Sequence, residues 1–336
     1  MSSPLLHVTI AKRCAVIPAG LVIALLLITA LASTCLAAGI RQKSFRSPDE
    51  AVQALVTAIR TDDEKALLAI LGPGSRELIY SGDSVADNAG RDRFVAAYER
   101  RHSLKAKSAA AMILHVGDDE WPLPIPLVKK GNGWIFDSPK GKKELLNRRI
   151  GRNELQVIEV IDAYVDAQQE YASKDCRGAG RVEFAQRLIS TPGSRDGLYW
   201  EAKEGEQQSP LGPLIARAAN EGYAKDGNLS PFHGYYFKIL KGQGKHANGG
   251  AYNYVVKDKM ILGFALAAYP AEYGNSGVMT FLVNQDGIIY EKNLGKDTRR
   301  IAEAITVFNP DRSWKKVKRP EAPVAGNTGP TGTKQP

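Results

Sequence analysis

The chain has 336 residues, of which 43% are hydrophobic and 24% are charged, and its formal net charge is +9. This composition excludes a disordered or fibrous protein and is enough for one large or two medium globular domains. A basic cluster within residues 140–152 is expected to be a solvated surface, because no basic strand interleaved with aromatic residues accompanies it. We therefore predict no nucleic-acid partner.

The first 38 residues have the pattern of a secretory signal peptide. An apolar run over residues 14–31 follows a Lys-Arg pair, and Cys35 and Ala37 satisfy the small-residue rule for cleavage after Ala37 or Ala38. The run approaches the length that spans a membrane, so a retained anchor is the alternative. We expect a periplasmic or otherwise extracytoplasmic location in a bacterium, with membrane contact through the leader only.

Cys176 is the one cysteine outside the leader, so the sequence predicts no intramolecular disulfide. Stability must then come from packing. The chain lacks the patterns of a metal or phosphate site, and no serine has a G-x-S-x-G environment. We predict no cofactor, no metal and no catalytic residue.

Residues 39–46 are predicted to be a linker, and residues 47–150 to be a first domain of helices followed by an antiparallel sheet. Ser47-Pro48-Asp49-Glu50 is a capping box with proline at the first helical position, and Thr61-Asp62-Asp63-Glu64 repeats the device. A third helix is expected over residues 92–103. Strands are expected over residues 109–116, 123–129 and 133–137. The element order and the Gly133–Phe136 stretch resemble the cone-shaped nuclear transport factor 2-like domains. Such domains often hold a small ligand, and as many serve as interaction modules.

Residues 151–317 are predicted to be a second α+β domain, and residues 318–336 a disordered tail. A basic helix over residues 139–149 closes the first domain, and a long amphipathic helix over residues 153–173 starts the second. A short helix is expected over residues 184–189. The closing meander includes a buried strand over residues 263–269 and a hairpin over residues 278–292 with the turn Asn284-Gln285-Asp286-Gly287. A long helix followed by such a meander resembles the soluble head of type IV pilin-like proteins.

Two ordered loops, Ser190–Trp200 and Tyr269–Gly277, combine glycine or proline turns with aromatic residues. Such loops make good contact surfaces, and we predict that they bind an envelope protein, a wall component or a small ligand. The sequence does not determine the oligomeric state of the protein. The predicted ligand-binding residues are Tyr199, Trp200, His233, Tyr269, Glu272 and Tyr273.

Several stretches together resemble the bacterial family catalogued as domain of unknown function 2950. They are Phe45–Glu50, Asp119–Pro126, Ser190–Trp200, Ser209–Pro213, Gly234–Phe237, Gly263–Gly295 and Phe308–Trp314. The resemblance implies an exported bacterial protein with no assigned activity and supplies no catalytic residues. Relatives have an Asp-rich run where this chain has Asp175–Gly180 followed by Glu183, so we expect no calcium loop here.

Two alternatives to a non-enzymatic binding protein remain. A hydrolase of envelope substrates would use His233 or His246 with Glu272 or Ser276, because histidine transfers protons near neutral pH. A pilin-like assembly subunit would form multimers.

Overall fold

The computed structural model describes residues 42–178, 180, 182–223 and 231–318. Over these residues the chain is α+β, with helices and antiparallel sheets, which confirms the predicted class. The predicted leader lies outside the described residues, as do the first three residues of the predicted linker and residues 319–336 of the predicted tail. None of the described helices is long and apolar enough to cross a membrane.

Four helices form the first part of the described chain. The Ser47 hydroxyl accepts a hydrogen bond from the backbone of Glu50 at 3.1 Å, and the predicted capping box therefore starts the first helix. The third predicted helix begins eight residues earlier than expected, because the Asp83 side chain caps it. The helices are α1 (Pro48–Arg60), α2 (Glu64–Leu71), α3 (Arg76–Ile79) and α4 (Ser84–Arg100).

A five-stranded antiparallel sheet follows, in the order β1-β2-β4-β5 with β3 paired to β2. The helix expected to extend to residue 103 ends at Arg100, because His102 instead pairs with Val116 at the start of β1. The sheet and α1 enclose a hydrophobic core around Leu55, Leu127 and Phe136. The strands are β1 (His102–Ser108), β2 (Ala111–Val116), β3 (Trp121–Pro122), β4 (Leu127–Lys130) and β5 (Gly133–Phe136).

Helix α5 (Ser138–Ser173) is continuous, and the prediction of two separate helices over this stretch is wrong. Gly151 stood at the expected break, but glycine inside a helix costs only about 1 kcal/mol relative to alanine. Hydrogen bonds on both sides of Gly151 outweigh that cost. Arg149 donates to the backbone carbonyls of Glu77 and Leu78, and Asn153 donates to the carbonyl of Ser276.

A second five-stranded sheet, in the order β14-β13-β12-β11-β6, packs on α5. Tyr164 is buried and its hydroxyl donates to the Ala265 carbonyl at 3.2 Å, which fixes the predicted apolar face of α5 on the sheet. The strands of this sheet are β6 (Tyr235–Leu240), β11 (Ala265–Pro270), β12 (Met279–Asn284), β13 (Tyr290–Asn293) and β14 (Lys315–Lys316).

The predicted hairpin is confirmed, since Gly287 donates its backbone N–H to Asn284 at 3.0 Å and has a φ of 69°. The predicted helix over residues 184–189 is wrong, because Phe184 forms a β-bridge with Met260 instead. The remaining elements are the ribbons β7 (Gly242–Gln243) with β8 (Tyr252–Asn253) and β9 (Val255–Val256) with β10 (Lys259–Met260), and the helices α6 (Gly212–Asn220) and α7 (Thr298–Glu303).

Candidate functional site: an arginine-lined cleft

Asp83 joins the first part of the chain to the second. It is 1% exposed, and its Oδ1 accepts from the backbone of Ala86 at 3.0 Å, as a helix N-cap does. Its Oδ2 accepts from the Tyr223 hydroxyl at 2.7 Å and from the Gly234 backbone at 2.8 Å. One carboxylate therefore starts α4 and holds the segment that leads into β6.

Arg149 makes a second connection. Its guanidinium donates to the backbone carbonyls of Glu77 at 2.7 Å and Leu78 at 2.9 Å, and to Asn275 Oδ1 at 2.5 Å. The Asn275 amide in turn donates to the Tyr80 carbonyl at 2.6 Å. Burial lowers the pKa of Arg149, while neighbouring carboxylates oppose that shift. The expectation of a solvated basic surface is therefore wrong for Arg149, which is part of the junction.

A cleft of about 480 Å³ lies beside this junction, between α4 and α5. Arg93 from α4 and Arg149 and Arg152 from α5 contribute three guanidinium groups to its wall. Among the described residues, neither Arg93 nor Arg152 makes a hydrogen bond or an ion pair. Loss of solvation, and then the charge of Arg93, lowers the pKa of Arg152. Arg93 and Arg152 are thus exposed charges on the cleft wall that no described acidic side chain pairs with.

Asp87 is one of the two carboxylates in the cleft wall, and Glu221 is the other. Asp87 accepts from the Ser81 backbone at 2.8 Å, and burial raises its pKa. Glu221 Oε2 lies 3.5 Å from His233 Nε2. Asp87 and Glu221 therefore contact Ser81 and His233, and neither forms an ion pair with Arg93 or Arg152.

His233 contributes a polar atom to the cleft that has no hydrogen-bond partner among the described residues. The residue is 5% exposed, and its Nε2 is the atom concerned. His233 has a φ of 51° and is followed by Gly234 with a φ of 75°. Burial lowers the pKa of His233, a shift that Glu221 opposes and Arg217 supports. The acidic groups Asp83 and Glu159 also act on this ring.

An apolar chamber of about 390 Å³ adjoins the cleft on the side of the first core. Ala86, Asp87, Arg93, Arg149 and Arg152 line both cavities, so the two share one boundary. Apolar side chains from α1, α2, α3, α4 and α5 form most of the rest of its wall. The two cavities together are lined by five arginines and two carboxylates.

The family model described as protein of unknown function (DUF2950) matches residues 42–317. The chain belongs to this family. No curated protein and no solved structure matches it. In this DUF2950 chain the match spans both hydrophobic cores, the junction and the cleft, so all of them belong to the part of the chain that the family model covers.

The DUF2950 chain places its predicted site residues in different regions. Trp200 is 7% exposed and donates its indole N–H to the Gln207 carbonyl at 3.1 Å. Tyr199 is half-buried between open grooves of about 730 and 540 Å³. Neither groove is lined by Tyr269 or His233. Neither of the two grooves therefore joins Tyr199 to Tyr269 or His233, which the sequence also proposed for binding.

The bend at residues 270–277 packs against the first part of the chain. Tyr269 is 8% exposed, and its ring lies 5.6 Å from that of Tyr236. Glu272 is exposed and accepts from the Asn275 amide at 2.8 Å, and Tyr273 is half-buried. Of the predicted site residues, His233 is the one that lines the arginine cleft.

Neither histidine of the hydrolase alternative reaches its expected partner among the described residues. Ser276 Oγ is hydrogen-bonded to the backbone of Glu272, and His246 is exposed with its backbone held by Asn309. The described residues also contain no group of three or more His, Cys, Asp or Glu able to hold a metal. The side chains that line the cleft include three arginines, two carboxylates and His233.

Sequence reasoning missed Arg93, Arg149, Arg152 and Tyr223 as functional candidates. A signal existed for the helix residues, because Arg149, Arg152 and Asn153 recur at spacings that share one helical face. For Tyr223 no local signal existed, since its partner Asp83 is 140 residues away.

Proposed function

We propose that this DUF2950 chain is an exported, non-enzymatic bacterial protein that binds a small molecule through an oxyanion in the arginine cleft. Export is proposed from the leader pattern of residues 1–38. A small ligand is proposed in preference to an envelope protein or wall component, because the site is a concave cleft of suitable volume.

The observation that carries the proposal is the pair of unpaired guanidiniums of Arg93 and Arg152. The guanidinium group presents a planar fork that matches carboxylate and phosphate oxygens. The positive charge of Arg93 lowers the pKa of Arg152, which means that the two groups repel one another without a ligand. An oxyanion between them would remove that repulsion and accept hydrogen bonds from both.

His233 supports the same function. Its buried Nε2 borders the cleft and lacks a hydrogen-bond partner among the described residues. Its polar neighbour is Glu221 Oε2 at 3.5 Å, and a hydrogen bond from a ligand polar group to Nε2 would add about 0.5–1.5 kcal/mol. This gives the histidine a role in recognition without requiring proton transfer.

The cone-like interpretation of residues 47–150 is part of this proposal. It is supported by helices that precede an antiparallel sheet and by a chamber lined by residues of the helices and by Trp121 of β3. The pilin-head interpretation of residues 151–317 stays a prediction, as does the domain division at residue 150. Multimers in light scattering would favour the pilin-like alternative.

The proposal is tested by titrating the purified protein with inorganic phosphate and with butyrate by calorimetry. Replacing Arg152 removes a charge-assisted contact of about 1.5–3 kcal/mol. Because the side chain is exposed, the lower value applies, and Arg152→Gln should weaken binding roughly tenfold. Lys143→Gln is the matched control, since Lys143 is exposed on the same helix outside both cavities.

Equal affinities of the Arg152 and Lys143 variants would contradict the proposal, because binding would then depend on net charge alone. Hydrolysis of envelope esters by the wild type that is lost in His233→Gln would favour the enzyme alternative instead.

A further inference from the structure

We infer that the ligand is an amphiphile, with its oxyanion at the arginines and an unbranched aliphatic chain in the adjoining chamber. The inference rests on the proposed function and adds a substrate class to it. Its geometric basis is the shared boundary: Arg93, Arg149 and Arg152 line the polar cleft and the apolar chamber alike. A ligand that spans the boundary therefore needs a charged group at one end and apolar atoms beyond it.

The chamber wall offers apolar surface that is incompletely covered. Leu78, Phe94, Trp121 and Leu145 line it and are only half-buried. Covering such surface is favourable in proportion to the apolar area removed from water. An aliphatic chain would complete the burial that the protein leaves unfinished.

Helix α4 explains why the chamber stays open. Tyr98 is the only fully buried side chain of this 17-residue helix. Gly90 lines the chamber and has no side chain to fill it, and a Cβ added at this position would have Arg93 Nη2 as its nearest neighbour, at 3.9 Å. A helix held this loosely leaves space against α5 that its own residues do not occupy.

Two of the five arginines that line the chamber have acidic partners. Arg148 is neutralised by Glu144 at 2.6 Å and its guanidinium lies 5.5 Å from the Trp121 ring. Arg91 is likewise 3.4 Å from Asp62. The uncompensated charge is thus confined to the boundary with the cleft, where the oxyanion of the amphiphile would lie.

The first test is a calorimetric series of butyrate, hexanoate, octanoate and decanoate on the purified protein, each below its micelle concentration. Affinity should increase about three- to fourfold for each added methylene until the chamber is full. Octyl phosphate should follow the carboxylate of equal length, and octanol should bind far more weakly. An affinity that does not change with chain length would overturn the inference, whatever occupies the chamber.

The second test fills the chamber from the protein side. A Cβ added by Gly90→Leu meets Arg93 Nη2 at an ordinary contact distance of 3.9 Å, and the substitution removes a helix-destabilising glycine, so the variant should fold. Gly151→Leu is the matched control, because Gly151 is helical, has nothing within 4 Å of an added Cβ and lines neither cavity.

The expected result is that Gly90→Leu lowers decanoate affinity at least tenfold and lowers butyrate affinity much less, because butyrate fills little of the chamber, while Gly151→Leu changes neither. Weaker butyrate binding by Arg152→Gln supports the oxyanion site itself, which Gly90→Leu leaves intact. Undiminished decanoate binding by Gly90→Leu would contradict the amphiphile inference and leave the oxyanion proposal standing.

Discussion

Replacing Asp83 by alanine should destabilise the protein far more than loss of a helix cap alone. The substitution removes the N-cap of α4, which costs about 1 kcal/mol. It also leaves the buried Gly234 backbone N–H without its acceptor, at about 1–3 kcal/mol, and removes the hydrogen bond of the half-buried Tyr223 hydroxyl, at about 0.5–1.5 kcal/mol. The expected total is therefore about 2.5–5.5 kcal/mol, against a typical domain stability of about 5–15 kcal/mol.

Asp63→Ala is the matched control for this experiment. Asp63 also caps a helix, with its Oδ1 accepting from Ala66 at 2.9 Å, but it is exposed and has no further partner among the described residues. Its replacement should cost about 1 kcal/mol. Chemical denaturation gives both values from the transition midpoints.

The difference between the unfolding free energies of Asp83→Ala and Asp63→Ala measures what the hydrogen bonds of Asp83 to Tyr223 and Gly234 contribute beyond the helix cap. Tyr223→Phe should show a coupling free energy with Asp83→Ala, because both substitutions remove the same hydrogen bond. Equal destabilisation by Asp83→Ala and Asp63→Ala would refute the reasoning, since Asp83 would then act only as a cap.

Three further predictions concern pH and backbone geometry. Affinity for methanesulfonate, whose charge stays constant, should rise as pH falls below about 6.5, because protonation of His233 and then of Asp87 makes the cleft more positive. A calorimetric affinity that does not change with pH would contradict this. Gly234→Ala should destabilise the protein by more than Gly250→Ala in thermal melts, since both residues have positive φ but only Gly234 has atoms within 3 Å of an added Cβ. Hydrogen bonds from Ser194 and Thr191 outweigh burial and lower the pKa of Asp196 to about 2. The stabilisation of its loop should therefore be complete above the ordinary carboxyl pKa and be lost as pH falls through about 2. An NMR titration of Asp196 with a midpoint near about 4 would contradict this prediction.

Local patterns predicted the elements whose causes are local. The capping box at Ser47 started α1, and the turn at Asn284–Gly287 closed the hairpin as expected. Both depend on residues within four positions of one another. The α+β class follows from such elements and could therefore be predicted.

The elements that sequence reasoning missed depend on distant contacts. Helix α5 continues through Gly151 because Arg149 and Asn153 bind carbonyls that are 71 to 123 residues away. The cleft exists because Asp83 and Asn275 dock one part of the chain on the other. No periodicity in the sequence reports such pairings, so Arg149 was expected to be part of a solvated surface.

The aromatic loops illustrate the same limit for the site. Trp200 and Tyr269 have the composition of a contact surface, yet both are buried by neighbours that are close only in the folded chain. Exposure of an aromatic side chain is a tertiary property, and the sequence carried no signal that decided it. Their predicted role in binding is tested by the same experiment as the cleft.

The most direct test is an NMR titration of the four tryptophan indole N–H resonances with octanoate. Trp121 lines the apolar chamber, whereas Trp200 lies in the loop proposed from sequence. The account predicts a saturable shift of the Trp121 resonance that disappears in Gly90→Leu and weakens in Arg152→Gln. A shift of Trp200 with Trp121 unchanged would contradict it and return the site to the aromatic loops.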